Sequence, residues 1–210
     1  MKITIFGPPG SGKGTQSELI SKYLNIKKIS SGDILRNEIF KKSEIGLKIE
    51  KEIEFGLLIS DELILNLILK ETNKYKNFLL DGIPRTLKQA FFLEKNNIKI
   101  NYVIEIVVSD EVVINRIKYR LIHTASGRVY NSLYNPPKTT NKDDITQEDL
   151  IKRDDDNEKS ILIRLNNYKK ITYPILKFYK KNEKINFIKI QGDKNINEIF
   201  EEIKNKISKV

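Results

Sequence analysis

Nine residues constrain this chain more than any others. Gly7-Pro8-Pro9-Gly10-Ser11-Gly12-Lys13-Gly14-Thr15 follows a short apolar run, Lys2 to Phe6, and opens an amphipathic stretch from about Lys13 to Leu24. In that context the glycines let successive backbone N–H groups turn toward one anion. The helix N-terminus adds the positive end of its dipole, and a lysine supplies a mobile charge for outer phosphates. The hydroxyl arrives one position late, at Thr15, because Gly14 follows Lys13. Gly10, Ser11, Gly12, Lys13, Gly14 and Thr15 are therefore the candidate phosphate-binding residues, on a turn that needs a strand before it and a helix after it.

The remainder of the chain continues that alternation. Strands are expected at Lys27 to Ser30, Phe78 to Leu80, Tyr102 to Val108 and Asn186 to Ile190. Helical periodicity falls at Asp33 to Phe40, Glu44 to Phe55, Asp61 to Thr72 after Ser60 as N-cap, and Thr86 to Lys95. It recurs at Asp110 to Leu121, Asn157 to Tyr179 and Ile196 to Ile207. Such a pattern predicts an α/β fold, a P-loop type parallel sheet flanked by helices. Residues 122–156 break it with Ser126-Gly127, Asn135-Pro136-Pro137 and Thr-rich polar segments. They read as an inserted subdomain with β-like pieces such as Gly127 to Tyr130.

Composition excludes several classes. The chain has no Cys, which removes disulfide scaffolds and thiol or Cys-zinc chemistry. No apolar run approaches the ~18 residues of a membrane span, and Met1 to Phe6 reads as a strand rather than a signal peptide, so a cytoplasmic protein without membrane partners is expected. A formal charge of +10 suggests a nucleic-acid partner, the reading from a different functional class. The excess is diffuse and mostly Lys, which argues against it. Only seven of the 38 basic residues are Arg: Arg36, Arg85, Arg116, Arg120, Arg128, Arg153 and Arg164. In so lysine-rich a chain these seven are the residues to place.

Phe78-Leu79-Leu80-Asp81-Gly82 supplies what a phosphate loop needs beside it, an apolar strand ending in a carboxylate able to hold Mg²⁺, directly or through water. Together with this strand and the phosphate loop, four further motifs occur in the order and approximate spacing of adenylate kinases. They are Ser30-Ser31-Gly32-Asp33-Ile34-Leu35-Arg36, Asp81-Gly82-Ile83-Pro84-Arg85-Thr86 with Gln89, Ser126-Gly127-Arg128-Val129-Tyr130, and Arg153-Asp154-Asp155-Asp156. The chain resembles that family over its whole length, in its long-lid bacterial form. The resemblance implies a core of residues 1–29, 60–118 and 157–210, an AMP-binding insertion at 30–59 and a lid at 119–156, the two insertions being mobile. It implies transfer of a phosphoryl group from MgATP to AMP, reversibly giving two ADP.

The resemblance also assigns roles. Lys13, Arg36, Arg85, Arg120, Arg153 and Arg164 would be the catalytic set. Arg36 and Arg85 would hold the AMP phosphate, while Arg120, Arg153 and Arg164 converge on the transferred group. Arg116, Val129, Tyr130 and Lys194 would border the rest of ATP. Ser31, Leu57, Leu58, Ile59, Gly82 and Gln89 would form the AMP base and ribose site, and Asp81 would serve the magnesium. A guanidinium grips phosphate oxygens bidentately as an ammonium cannot, which is why this chemistry uses Arg. Arg128 has two readings, a lid salt bridge to one of Asp154 to Asp156 or a phosphate contact. Asp155 is expected to orient the lid arginines.

His123-x-x-Ser126 and Asp143-x-x-Thr146, sixteen residues apart, reproduce the spacing of a zinc knuckle without sulfur. In many members of the resembled family four ligands at these places hold zinc. A set of His, Ser, Asp and Thr matches tetrahedral zinc poorly, so a hydrogen-bond network and no zinc are expected. The alternatives within the enzyme class are a UMP or CMP kinase, or a GTP-dependent AMP kinase. Ser31 favours AMP as acceptor, since relatives acting on UMP or CMP tend to carry Ala there. Two hinged insertions on one core suit a monomer.

Overall fold

The computed structural model describes residues 1–208. The first half of the chain forms β1 (Lys2–Phe6), α1 (Lys13–Leu24), β2 (Lys27–Ser30), α2 (Ser31–Phe40), α3 (Glu44–Glu54), α4 (Asp61–Thr72), β3 (Phe78–Asp81) and α5 (Leu87–Lys95). The second half forms β4 (Tyr102–Val107), α6 (Asp110–Lys118), β5 (Arg120–Ile122), β6 (Val129–Asn131), α7 (Glu158–Asn167), α8 (Tyr173–Lys180), β7 (Asn186–Gln191) and α9 (Ile196–Ile207).

Five strands make one parallel sheet in the order β2-β3-β1-β4-β7, so the strand that feeds the phosphate loop is central. Its strands are nearly all apolar because helices cover both faces. On one face Phe6, Phe78, Leu80 and Val103 pack with Ile68, Leu93 and Ile175 from α4, α5 and α8. On the other, Ile3, Ile5, Leu79 and Ile104 pack with Ile20 from α1 and Ile199 and Ile203 from α9. Each such Ile or Leu, fully withdrawn from water, contributes roughly 1.5–3 kcal/mol of transfer free energy. The helix starts are set by side chains: Ser30, Ser43, Thr86, Ser109, Asn157 and Asn195 each accept a hydrogen bond from the third N–H of the helix they open. Ser60 precedes α4 as expected, but its hydroxyl makes no capping bond.

Two expectations are corrected. The helix from Asp110 stops at Lys118 rather than Leu121, because Arg120, Leu121 and Ile122 are taken into an antiparallel pair with Asn131, Tyr130 and Val129. That pair, β5 and β6, also shifts the expected strand at Gly127 to Tyr130 onward to Asn131. The long helix from Asn157 to Tyr179 is interrupted: Asn157 is its cap, and Tyr168–Thr172 forms a π-helical turn between α7 and α8. No described helix is long and apolar enough to cross a membrane.

Candidate functional site

At the carboxyl end of the central strand, the turn after β1 wraps the N-terminus of α1. Gly10 and Gly12 take φ of 74° and 92°, in the left-handed region. A side chain at Gly10 would meet the Ile117 side chain at 2.8 Å, so the glycine lets α6 pack directly against the loop. The Lys13 ammonium turns inward and donates to the Gly7 and Pro8 carbonyls at 2.6 and 2.7 Å. Burial lowers its pKa to about 7 against the opposing pull of Asp81.

This loop forms one wall of a cavity of about 500 Å³. All six phosphate-loop candidates line it, as do Asp81 and Gly82 at the end of β3. Six of the seven arginines reach it from different elements: Arg36 from α2, Arg85 from the turn after β3, Arg116 from α6, Arg120 from β5, Arg153 from the segment before α7 and Arg164 from α7. Val129, Tyr130 and Lys194 line it too, as does Leu58. Ser31, Leu57, Ile59 and Gln89 do not. Ser31 is buried with its hydroxyl donating to the Gly82 carbonyl at 3.1 Å. Leu57 is about half exposed, and Ile59 packs on the core. Gln89 is buried, its amide oxygen accepting from the Arg85 N–H at 2.6 Å and its nitrogen donating to Asp61 at 2.7 Å. Ser31 and Gln89 therefore act on the wall from behind, through Gly82 and Arg85.

Placing so many cations together needs counter-charges. Arg164 donates to Asp155 at 2.8 Å, as expected of Asp155, while Arg120 forks onto Asp156 and Arg36 pairs with Asp33 at 2.6 Å. Burial pushes the Asp155 carboxyl up, but Arg164, Arg153 and Arg120 together hold it below its ordinary value. Burial lowers the Arg85 pKa to about 10, with Arg164 adding its repulsion. Arg153 is lowered as well, by burial and then by Arg120, and its Nε is buried without a partner. An enclosed, self-repelling group of guanidinium ions gains most from a polyanion placed among them.

Arg128 is the seventh arginine and lies outside the group. Neither an Asp154 to Asp156 bridge nor a cavity position is found; it forks instead onto Asp143 at 2.7 and 2.6 Å. There His123, Ser126, Asp143 and Thr146 come together. His123 Nδ1 meets Ser126 at 2.7 Å, Thr146 donates to Asp143 at 3.1 Å, and Tyr130 donates to Asp143 at 2.9 Å. Hydrogen bonding from Arg128 holds the Asp143 carboxyl far below its ordinary range, although burial opposes it. Among the described residues no group of three His, Cys, Asp or Glu is disposed to hold a metal.

Several members of the site were given no such role from the sequence. Glu148 bonds His123 Nε2 at 2.5 Å, Asp33 and Asp156 hold the catalytic candidates Arg36 and Arg120, and Asp61 holds Gln89. Short-range spacing marks only Asp33, three residues before Arg36. Tyr168 and Thr172 of the π-helical turn line the cavity, and π-turns of this kind recur at functional sites.

Residues 5–184 match the model of the adenylate kinase family. An adenylate kinase of Buchnera aphidicola subsp. Cinara cedri is 50% identical over 199 residues, covering 93% of this chain and 92% of the relative. That of Buchnera aphidicola subsp. Schizaphis graminum is 46% identical, covering 97% and 98%. One from Francisella philomiragia is 43% identical, covering 99% and 100%.

Proposed function

The chain belongs to the adenylate kinase family and transfers the terminal phosphoryl group of ATP to AMP, and we propose that it does so with the residues gathered around the cavity. The observation that carries this reading is the convergence of six arginines and Lys13 from the core and both insertions on one cavity. Phosphoryl transfer asks little covalent work of a protein and much positioning and charge stabilisation, so such a cage is what the reaction needs.

In this mechanism the N–H groups of Gly10 to Thr15 and the dipole of α1 hold the donor's phosphates. Lys13 leaves the Gly7 and Pro8 carbonyls for the outer phosphate oxygens. Arg36 and Arg85 fix the acceptor phosphate so that its oxygen faces the transferred group in line. Arg120, Arg153 and Arg164 neutralise the oxygens that carry the developing charge. No protein base is required, because a phosphate oxygen is already a competent acceptor of the phosphoryl group. Arg116, Val129, Tyr130 and Lys194 border the donor's sugar and base, with Ser31, Leu57 to Ile59, Gly82 and Gln89 around the acceptor nucleoside.

The donor set suits magnesium carried by the nucleotide. Asp81 stands beside the loop, its Oδ2 at contact distance, 3.6 Å, from the place a Gly14 Cβ would occupy, and Thr15 shares the wall. One carboxylate and one hydroxyl leave most of an octahedral shell to phosphate oxygens and water, which is magnesium's habit. When bound, the ion neutralises charge on the outer phosphates.

We take residues 30–59 and 119–156 as the moving parts that admit nucleotides and then exclude water. Gly127 of the second faces Asp33 of the first, an added Cβ lying 3.6 Å from the Asp33 carboxyl carbon. Many surface lysines pair with neighbouring glutamates, such as Lys48 with Glu44 and Lys194 with Glu202, which accords with a solvated basic surface. The test is ADP formation from ATP with AMP, UMP, CMP and GMP in turn. AMP is expected to be the preferred acceptor by at least tenfold, an order-of-magnitude difference of about 1.4 kcal/mol. Equal rates with a pyrimidine nucleotide would overturn the reading.

A further inference from the structure

The turn that carries Arg85 has no regular backbone pairing, yet side chains from β1, the π-helical turn and the adjoining α5 satisfy it. Thr4, fully buried in the middle of β1, donates to the Ile83 carbonyl at 2.6 Å. Thr172, in the π-helical turn, donates to the Arg85 carbonyl at 3.0 Å. Gln89 takes the Arg85 N–H, and the Arg85 Nε donates back to the Gly82 carbonyl at 2.9 Å. A hydroxyl in the interior of a mostly apolar sheet costs free energy unless it has a partner, and here the partner is the carbonyl two residues before Arg85.

The π-turn explains how Thr172 comes to be there. On an uninterrupted α-helix, residues eight apart, such as Arg164 and Thr172, stand ~80° apart around the axis. A π-bulge holds one residue more per turn and winds the following segment back by roughly ~100°. That brings the two residues near one face, and both line the cavity. The segment that bears Arg164 thus also grips the backbone of Arg85. Arg85 and Arg164 repel each other, so their separation must be held by something other than mutual attraction.

We propose that Thr172 and Thr4 are positioning residues for the acceptor phosphate: their hydroxyls fix the Ile83–Arg85 turn and so the Arg85 guanidinium relative to Arg164. This rests on the reading of Arg85 as an acceptor-phosphate ligand. The experiment is steady-state kinetics with each substrate varied in turn, for Thr172→Val, Thr172→Ser, Thr4→Val and Arg85→Lys, with thermal unfolding of each. Both Val variants keep the side-chain shape and remove only the hydroxyl, and Val is well suited to a strand. Thr172→Val is expected to raise KM for AMP about tenfold, the size of one net hydrogen bond, leaving KM for ATP within twofold. Thr4→Val should follow with a smaller rise of the same selectivity, and Thr172→Ser should restore the parent values.

A wild-type KM for AMP in Thr172→Val, a parallel rise in both KM values, or a Ser variant no better than Val would each overturn the proposal. Arg85→Lys separates it from its premise. If Arg85→Lys leaves KM for AMP intact, the assignment of Arg85 fails. If Arg85→Lys raises KM for AMP and Thr172→Val does not, the positioning role alone fails.

Discussion

Lys13 sits among carbonyl oxygens of its own loop, and burial has brought its proton within reach of ordinary pH. A group with a pKa of about 7 is mostly neutral at pH 8. Phosphates set against it favour the charged form and raise that pKa, so ATP binding at pH 8 should take up a proton at Lys13. Titration calorimetry in buffers of different ionisation enthalpy is expected to reveal this uptake, and Lys13→Met to lose it. A heat independent of buffer, or the same dependence in Lys13→Met, would refute the assignment. The folded state binds Lys13's proton less readily than the unfolded chain does, so this group's unfavourable contribution grows as pH falls from about 10 toward 7 and is fully present below that. The arginines were legible for a related reason: in a lysine-rich chain each guanidinium stands out, and six of seven reach the cavity. Their partners were not. Asp61 looks in sequence like any solvated carboxylate, and Asp33 and Asp156 lie in motifs that do not say which arginine each holds; the fold brings them to Gln89, Arg36 and Arg120.

Elements differ in how much of themselves the sequence reveals. The central strands and α1 were readable because burial on both faces imposes apolar runs and the glycine-rich turn fixes their ends. The end of α6 was not, since Tyr119 and Leu121 continue the helical periodicity while strand pairing with Asn131 to Val129 overrides it. The π-turn was equally silent, since nothing in Tyr168-Lys169-Lys170-Ile171-Thr172 marks its one-residue shift. In the β5–β6 region the pattern of residues predicted a network and the fold adds Arg128, Tyr130 and Glu148 to it. Asp143 is its hub, so Asp143→Asn should lower the midpoint of thermal unfolding at pH 7. Because the folded pKa lies below the unfolded value, Asp143's stabilisation is present above about pH 4 and fades as the pH falls further. The gap between wild type and Asp143→Asn should therefore narrow from pH 5 toward pH 2; a gap that stays constant would count against an ionised hub.

At the scale of the whole molecule α7 ties the segment that ends in Asp156 to the end of α3. It begins directly after the Asp156 that holds Arg120, and its Ser160 hydroxyl donates to the Glu54 carbonyl at 2.6 Å at the end of α3. Gly56, with φ of 72°, lets the helix approach so closely that a side chain there would lie 2.8 Å from the Ser160 carbonyl. Ser160→Ala removes this tie while leaving the cavity's own residues in place. The expected result is that AMP and a non-hydrolysable ATP analogue each bind with less dependence on the other, measured as the ratio of Kd values with and without the second nucleotide; an unchanged ratio would remove α7 from the coupling. A helix that touches both α3 and Asp156 also carries a thermodynamic obligation wherever it couples the two nucleotides. Whatever factor the donor contributes to the acceptor's affinity must be returned in full by the acceptor to the donor. If Ser160→Ala lowers that ratio, the ten residues from Glu158 to Asn167 are the part of the fold through which each substrate acts on the other's affinity, before any chemistry takes place.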